Sequence, residues 1–300
     1  GVSGGIERWT KILMPIFFVL LVLLIIYANT LDGAVKGLKF YLLPDFSKIT
    51  GKSVLSALGQ AFFSLSLGMG LMITYGSYVS KKENLLSSGA WIAVFDTMIA
   101  FMAGLIIFPA LFAMGQSPAA GPKLVFVVFP QLFTQMPGGM WVGAMFFILL
   151  SVAALTSTIS LLEVPVSFMV DEKRVSRKSI VWITAAITFV IGIPSALSQG
   201  ASEYFSNFGW IPERLTSADF LSQMSFVFGD FSLAFGALLL SIFIGWVWGA
   251  DKAADEISLA SEGFKNFRGV WIFMIRYFIP LVVFVILLNL FGIFDMNLVK

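Results

Sequence analysis

Gln60-Ala-Phe-Phe-Ser-Leu-Ser-Leu-Gly-Met-Gly-Leu-Met-Ile-Thr-Tyr-Gly-Ser-Tyr78 reads as a membrane helix that has been interrupted. Residues 54–63 and 69–78 each carry about half of the ~20 apolar residues that a bilayer crossing requires. Between them stand Ser64, Ser66, Gly68 and Gly70, two hydroxyls and two residues free to leave helical geometry. Lipid does not tolerate the unpaired carbonyls and amides that such a break releases, so the break must line a cavity or bind something. Two opposed helix ends at mid-membrane depth present amides to anions and carbonyls to small cations.

Composition sets the class. Of 300 residues, 58% are hydrophobic and 12% charged, an apolar excess that excludes a soluble domain and predicts an integral membrane protein. With no Cys and no His, there is no disulfide, no thiolate metal site and no imidazole base. Most enzyme chemistries go with them. A serine protease in the membrane would need a Ser–His pair, and an aspartyl one would need two matched carboxylates where Asp96 has only Glu163. A net charge of +2 points to no nucleic-acid partner.

Read in order, the chain predicts an all-α, polytopic membrane bundle forming a single transmembrane domain over 1–300. Its seven spans are expected at 12–27, 54–78, 85–114, 140–170, 179–197, 220–248 and 271–294. Pro15 and Gly5 weaken the start of the first span. Residues 28–52 read as a polar connection with one interfacial turn, at 38–43. Within the proline-interrupted stretch 115–139 the apolar piece 124–133 is too short to span and reads as a re-entrant or surface hairpin. Basic clusters at Lys81 and Lys82, at Lys173, Arg174, Arg177 and Lys178, and at Lys252, Lys265 and Arg268 place the start in the cytoplasm and the end outside. The chain opens without an initiator Met, which reads as a cut start.

Three features carry chemistry. Asp96 lies among apolar neighbours at a cost of roughly 2.5–3.5 kcal/mol, which implies that it faces the bundle and has a task. Thr156, Ser157 and Ser160 share one side of their helix, where they either bond back to it or serve as ligands. Ser64, Thr156 and Ser157 supply neutral oxygens of the kind that a hard cation such as sodium accepts and releases. The break offers amides to a carboxylate and carbonyls to an ammonium group. Phe63 and Met69 flank it, either as the walls of an apolar pocket or as ordinary packing residues.

The run Phe63-Ser-Leu-Ser-Leu-Gly-Met-Gly70, continued by Ile73-Thr-Tyr-Gly-Ser-Tyr78, resembles the sixth helix of the neurotransmitter:sodium symporters, bacterial amino-acid branch. The similarity continues through Gly1-Val-Ser-Gly-Gly-Ile-Glu-Arg8, Leu155-Thr-Ser-Thr158, Val170-Asp-Glu172 and Gly249-Ala-Asp-Lys252. It implies the leucine-transporter-like inverted-repeat fold, with the spans matching family helices five to eleven. The second repeat would be complete, and helices one to four would be missing from an N-terminally truncated portion.

By that resemblance, Ala153, Thr156 and Ser157 match the second sodium site, and Ser64 and Asp96 match the first. Gln60, Ser64 and Asp96 match the chloride site of animal members, where Asp96 would substitute for the anion, so chloride is not expected to be required. Ala100 occupies a place that is acidic in some relatives. Phe63 resembles the aromatic lid over the substrate. Ser64, Ser66, Gly68, Met69, Gly70, Ser157 and Leu161 match the surrounding pocket, and Met69 suggests room for a bulky apolar or aromatic amino acid. Tyr78 and Asp171 match cytoplasmic gate positions, and Gly5 and Pro15 match the motif of a fifth helix that unwinds to release sodium. The external gate aspartate falls on Ser225, with Asp219 and Asp230 near but out of register.

The expected function is sodium-coupled symport of a hydrophobic amino acid by alternating access in the plasma membrane, with these residues alone incomplete and inactive. The partners expected are the amino acid, sodium, the lipid bilayer and the missing helices; a homodimer is compatible with the sequence. The alternative is a channel-like or structural membrane subunit without transport activity.

Overall fold

Proline inside a membrane helix forfeits the amide that its i−4 carbonyl needs, and the apolar helix over Leu85–Ala113 contains one at Pro109. The computed structural model describes residues 7–115, 125, 129–135, 137–213 and 215–293. There, Asn29 of another helix donates its side-chain amide to the carbonyl of Leu105 at 3.1 Å, four residues before Pro109. The acceptor that the proline leaves without its helical amide is thus paired by a side chain from a neighbouring span.

Among the described residues the helical segments follow in order. They are α1 (Glu7–Asn29), α2 (Ala34–Leu42), α3 (Gly51–Ser64), α4 (Leu71–Tyr78), α5 (Leu85–Ala113), α6 (Phe129–Gln135), α7 (Gly139–Lys173), α8 (Arg177–Leu197) and α9 (Glu203–Ser206). A continuous winding helix then runs through α10 (Phe220–Met224), a π-turn at Ser225–Phe231, α11 (Ser232–Ile242), a second π-turn at Phe243–Gly249 and α12 (Ala250–Ser258). Last come α13 (Arg268–Phe273), a π-turn at Met274–Phe278 and α14 (Ile279–Leu290). Among the described residues six helical stretches are long and apolar enough to cross a membrane, and α3 with α4 forms a further, interrupted pair of shorter helices.

Several boundaries differ from the sequence reading for local reasons. The connection after α1 contains a nine-residue helix, α2, rather than a single turn, started by Gly33 in the left-handed region at φ +88°. The span expected to stop at 248 winds on to Ser258, because Gly249, at φ +100°, bends the chain without ending the helix. The final helix begins at Arg268, whose guanidinium reaches Asp255 at 2.9 Å. Of the hairpin expected at 115–139, only fragments such as α6 fall within the described residues, and 294–300 fall outside them.

The chain divides into two units, one of residues 1–48 and 94–160, the other of 49–93 and 161–300. In the first, Phe17, Leu21, Leu24 and Ala28 recur at helical spacing along one face of α1 and pack with Ile106, Ala110 and Leu111 of α5 and with Phe146 and Leu149 of α7. Helix α2 lies against α5 with no side chain between them at Gly37. A Cβ there would overlap the Phe108 carbonyl oxygen and stand 2.7 Å from Pro109 Cα. Tyr41 covers Gly104 and stacks on Phe108 with centroids 4.8 Å apart.

In the second unit, side-chain amides tie loops to helix ends. Gln223, 0% exposed, accepts the backbone N–H groups of Trp210 and Ile211 and donates to the carbonyl of Ala218, closing the loop before α10. The Asn84 side-chain oxygen accepts the Ser87 N–H at 3.0 Å, capping α5, and the buried Ser261 hydroxyl at 2.6 Å. Asn84→Ala is therefore expected to cost about 1 kcal/mol, while Asn84→Asp, which keeps both acceptors, costs less. Thermal melts in detergent check this: equal losses for the two variants would remove the side-chain oxygen from the argument.

Candidate functional site

The helix break forms where the sequence places it. Helix α3 ends at Ser64 and α4 begins at Leu71, with the chain between turning on three left-handed residues: Ser66 at φ +55°, Gly68 at +85° and Gly70 at +76°. The α3 end closes on itself, Leu65 N–H donating to Ala61, Ser66 to Phe63 and Leu67 to Phe62, each at 3.0 Å. The α4 end is open. Its first-turn amides have no intrahelical acceptor, and Gly70 at the cap position brings no side chain to satisfy them. An anionic group finds both donors and the positive end of a helix dipole there.

Phe63, half-exposed at the end of α3, and Gln60 one turn earlier line a cavity of about 510 Å³ with Ser225, Asp230 and Asn289. The π-turn explains the register difficulty on this helix. It sets Ser225 and Asp230 five residues apart on the same cavity wall, while Asp219 is occupied in capping α10 through the Ser222 N–H at 3.0 Å. Met69 and Leu161, like Phe63 and Ser64, belong to the second unit, and Leu161 is exposed.

Asp96, Ala153, Thr156 and Ser157 belong to the first unit. On α7 the Thr156 hydroxyl donates to the carbonyl of Ala153 at 2.9 Å, so two hard oxygens stand side by side on one helix face. The Thr156 oxygen keeps lone-pair capacity for a cation, whereas the Ala153 carbonyl is already engaged by its helix and by that hydroxyl, and uncharged oxygens are the donor type that a hard cation such as sodium accepts. Pro15 lies within α1, and Gly5 falls outside the described residues.

The sequence reading missed a group at the far end of α4. Tyr78 donates its hydroxyl to the carboxylate of Glu163 at 2.7 Å, and the second oxygen of that carboxylate pairs with the guanidinium of Arg177. Glu163 is 4% exposed, a charge that is buried and balanced. Asp171, the other expected gate position, is exposed on the last turns of α7. A carboxylate inside an apolar helix with an arginine fourteen residues on, across a short turn, was the available signal.

A membrane helical bundle interrupted in mid-span, with an open helix N-terminus and paired neutral oxygens, has the features of a secondary transporter. The family model described as the sodium:neurotransmitter symporter family matches residues 1–298. An uncharacterized sodium-dependent transporter of Bacillus subtilis is 37% identical over 98% of this chain and 63% of its own length. One from Haemophilus influenzae is 38% identical over 97% of this chain and 62% of its own. The crystal structure of MhsT in complex with L-phenylalanine superposes with a TM-score of 0.83 at 42% identity, over 97% of this chain and 64% of that one. This chain belongs to the sodium:neurotransmitter symporter family, a family of secondary transporters rather than enzymes, and it spans less than two thirds of the length of these relatives.

Proposed function

We propose that the protein, at its natural length, imports a hydrophobic or aromatic amino acid by sodium-coupled alternating access. The observation that carries this reading is the open N-terminus of α4 behind Gly68 and Gly70, which suits a carboxylate, beside the closed end of α3. The substrate's carboxylate binds these amides, Phe63 covers it, and Ser64, Ser66, Met69, Ser157 and Leu161 complete the pocket. Similarity to a structure solved with L-phenylalanine supports the apolar class of substrate.

Sodium is cargo here, not a resident cofactor. One ion is assigned to Ala153, Thr156 and Ser157, and a second to Ser64 and Asp96, whose carboxylate supplies the negative charge that removes a need for chloride at Gln60 and Ser64. Tyr78, Glu163 and Arg177 form the cytoplasmic closure, with Asp171 at a further gate position and Gly5 and Pro15 yielding when sodium leaves. Asp230, on the cavity wall with Ser225, takes the outer carboxylate position of this helix. The start faces the cytoplasm and the end faces outward.

The test is binding of radiolabelled leucine, phenylalanine and tryptophan to the natural-length protein in detergent as sodium is varied. Binding is expected only with sodium. Ser157→Ala is expected to raise the half-saturating sodium concentration on the order of tenfold, since one lost ligand removes about 1.4 kcal/mol. Binding of none of the three at any sodium concentration would overturn the reading in favour of a channel-like or structural subunit.

A further inference from the structure

Gly68 of the helix break rests on α11 without a side chain between them. A Cβ on Gly68 would overlap the Leu233 carbonyl oxygen and stand 2.8 Å from the Ala237 nitrogen. From the other side, a Cβ on Gly236 would stand 2.5 Å from the Gly68 carbonyl oxygen and 3.5 Å from its Cα. Both overlaps are with backbone, which cannot rotate away as a side chain can. The break also has a second neighbour, since a Cβ on Gly70 would lie 3.2 Å from Val164 Cγ1 of α7.

Helix α11 is the fixed partner in this contact. Phe231 stacks on Phe235 with centroids 5.7 Å apart and packs edge-on against Phe291 at 5.6 Å. Val283 and Leu287 of α14 are buried, as are Leu233, Ala234 and Ala237 of α11. At its far end the same winding helix is clamped, because Arg276 donates to the carbonyl of Gly245 at 3.2 Å and Trp246 donates to that of Arg276 at 3.2 Å. The break is the non-helical partner: three of its residues between Ser64 and Leu71 are in the left-handed region, and it meets α11 backbone to backbone at Gly68. A methyl group introduced at the contact therefore moves the break, away from α11.

We propose that Gly236 is a specificity-determining positioning residue: by letting Gly68 sit directly on α11, it sets how deep the amino-acid pocket is. It touches no substrate and acts through the backbone of Gly68. The inference rests on the reading that the break lines the substrate pocket on its other face. Gly236→Ala then drives the break into the pocket and penalises large side chains.

The experiment is competition binding with alanine, valine, leucine, phenylalanine and tryptophan on the natural-length protein, for the wild type, Gly236→Ala and Gly76→Ala. Gly76 faces open space and lies on α4, so its variant controls for loss of glycine from the same region. Gly236→Ala is expected to lower affinity for tryptophan relative to leucine roughly tenfold, the scale of one methyl-sized misfit in an apolar pocket. Gly76→Ala is expected to keep the wild-type ranking. Uniform weakening with the ranking intact overturns the proposal and leaves a packing role alone. If Gly236→Ala aggregates, saturating leucine is expected to restore a monodisperse protein where tryptophan does not, and rescue by neither overturns it. A wild type that binds no amino acid overturns the functional reading itself, an outcome seen without any variant.

Discussion

Replacing Arg177 with alanine is expected to destabilise the protein by about 3 kcal/mol, the low end of the range for breaking a buried ion pair. The low end applies because the arginine side chain is 37% exposed, whereas that of Glu163 is only 4% exposed. Truncating the guanidinium leaves the Glu163 carboxylate buried with a single neutral donor, the Tyr78 hydroxyl at 2.7 Å. The cost is therefore that of an uncompensated charge, not of one missing contact. Glu163→Gln acts differently. It removes the charge, keeps an acceptor for Tyr78, and leaves an arginine able to reach water, so its cost is expected to be smaller.

This asymmetry makes the pair diagnostic. Adding Glu163→Gln to Arg177→Ala is expected to recover much of the loss, because the orphaned charge goes with it. Thermal melts in detergent of the two single variants and the double variant measure this. A double variant less stable than Arg177→Ala would mean that the buried carboxylate is not what the arginine compensates. Under the proposed transport cycle the same substitution also loosens the cytoplasmic closure. The chain contains no cysteine, so a single cysteine introduced at Ser167, on the same part of α7, can report it: faster alkylation is expected in Arg177→Ala than in the wild type.

The second large effect is expected at Asn29. Its side-chain nitrogen donates to Leu105, whose carbonyl is deprived of a helical partner by Pro109, and to Ile25 of its own helix at 2.8 Å. Asn29→Leu leaves the Leu105 carbonyl unpaired inside an apolar bundle, at an expected cost of about 2 kcal/mol. The Asn29 side-chain oxygen is buried and has no partner among the described residues, so leucine also relieves a small penalty. Pro109→Ala restores an amide four residues after Leu105. In that background Asn29→Leu is expected to cost little, giving a coupling close to its full single-variant cost. Additive losses in the double-mutant cycle would show that Asn29 stabilises the bundle in some other way.

These arguments separate what was legible along the chain from what was not. Helix existence and the position of the break were legible because both follow from local composition. Long apolar runs cannot leave lipid, and Ser64, Ser66, Gly68 and Gly70 interrupt one at mid-depth. Three of the residues from Ser66 to Gly70 take the left-handed backbone that glycine permits. The shared face of Thr156, Ser157 and Ser160 was legible for a related reason: residues three or four apart on a helix are neighbours before any tertiary contact forms, whereas Ala153 entered by resemblance alone.

The partners of buried polar groups belonged to the tertiary structure. Glu163 read as a poor second carboxylate for Asp96, and its actual partners Tyr78 and Arg177 come from two other helices. Asn29 fell within the polar connection expected at 28–52, and its role follows only from its bond to the Leu105 carbonyl, four residues before the proline on α5. The seat of Gly68 on Gly236 joins residues 168 positions apart in the sequence. Helix formation is dictated by neighbours a turn away, and the bilayer rewards it at every residue. Which helix face meets which depends on the summed shape and hydrogen-bond needs of distant segments, and that sum exists only once the chain has packed.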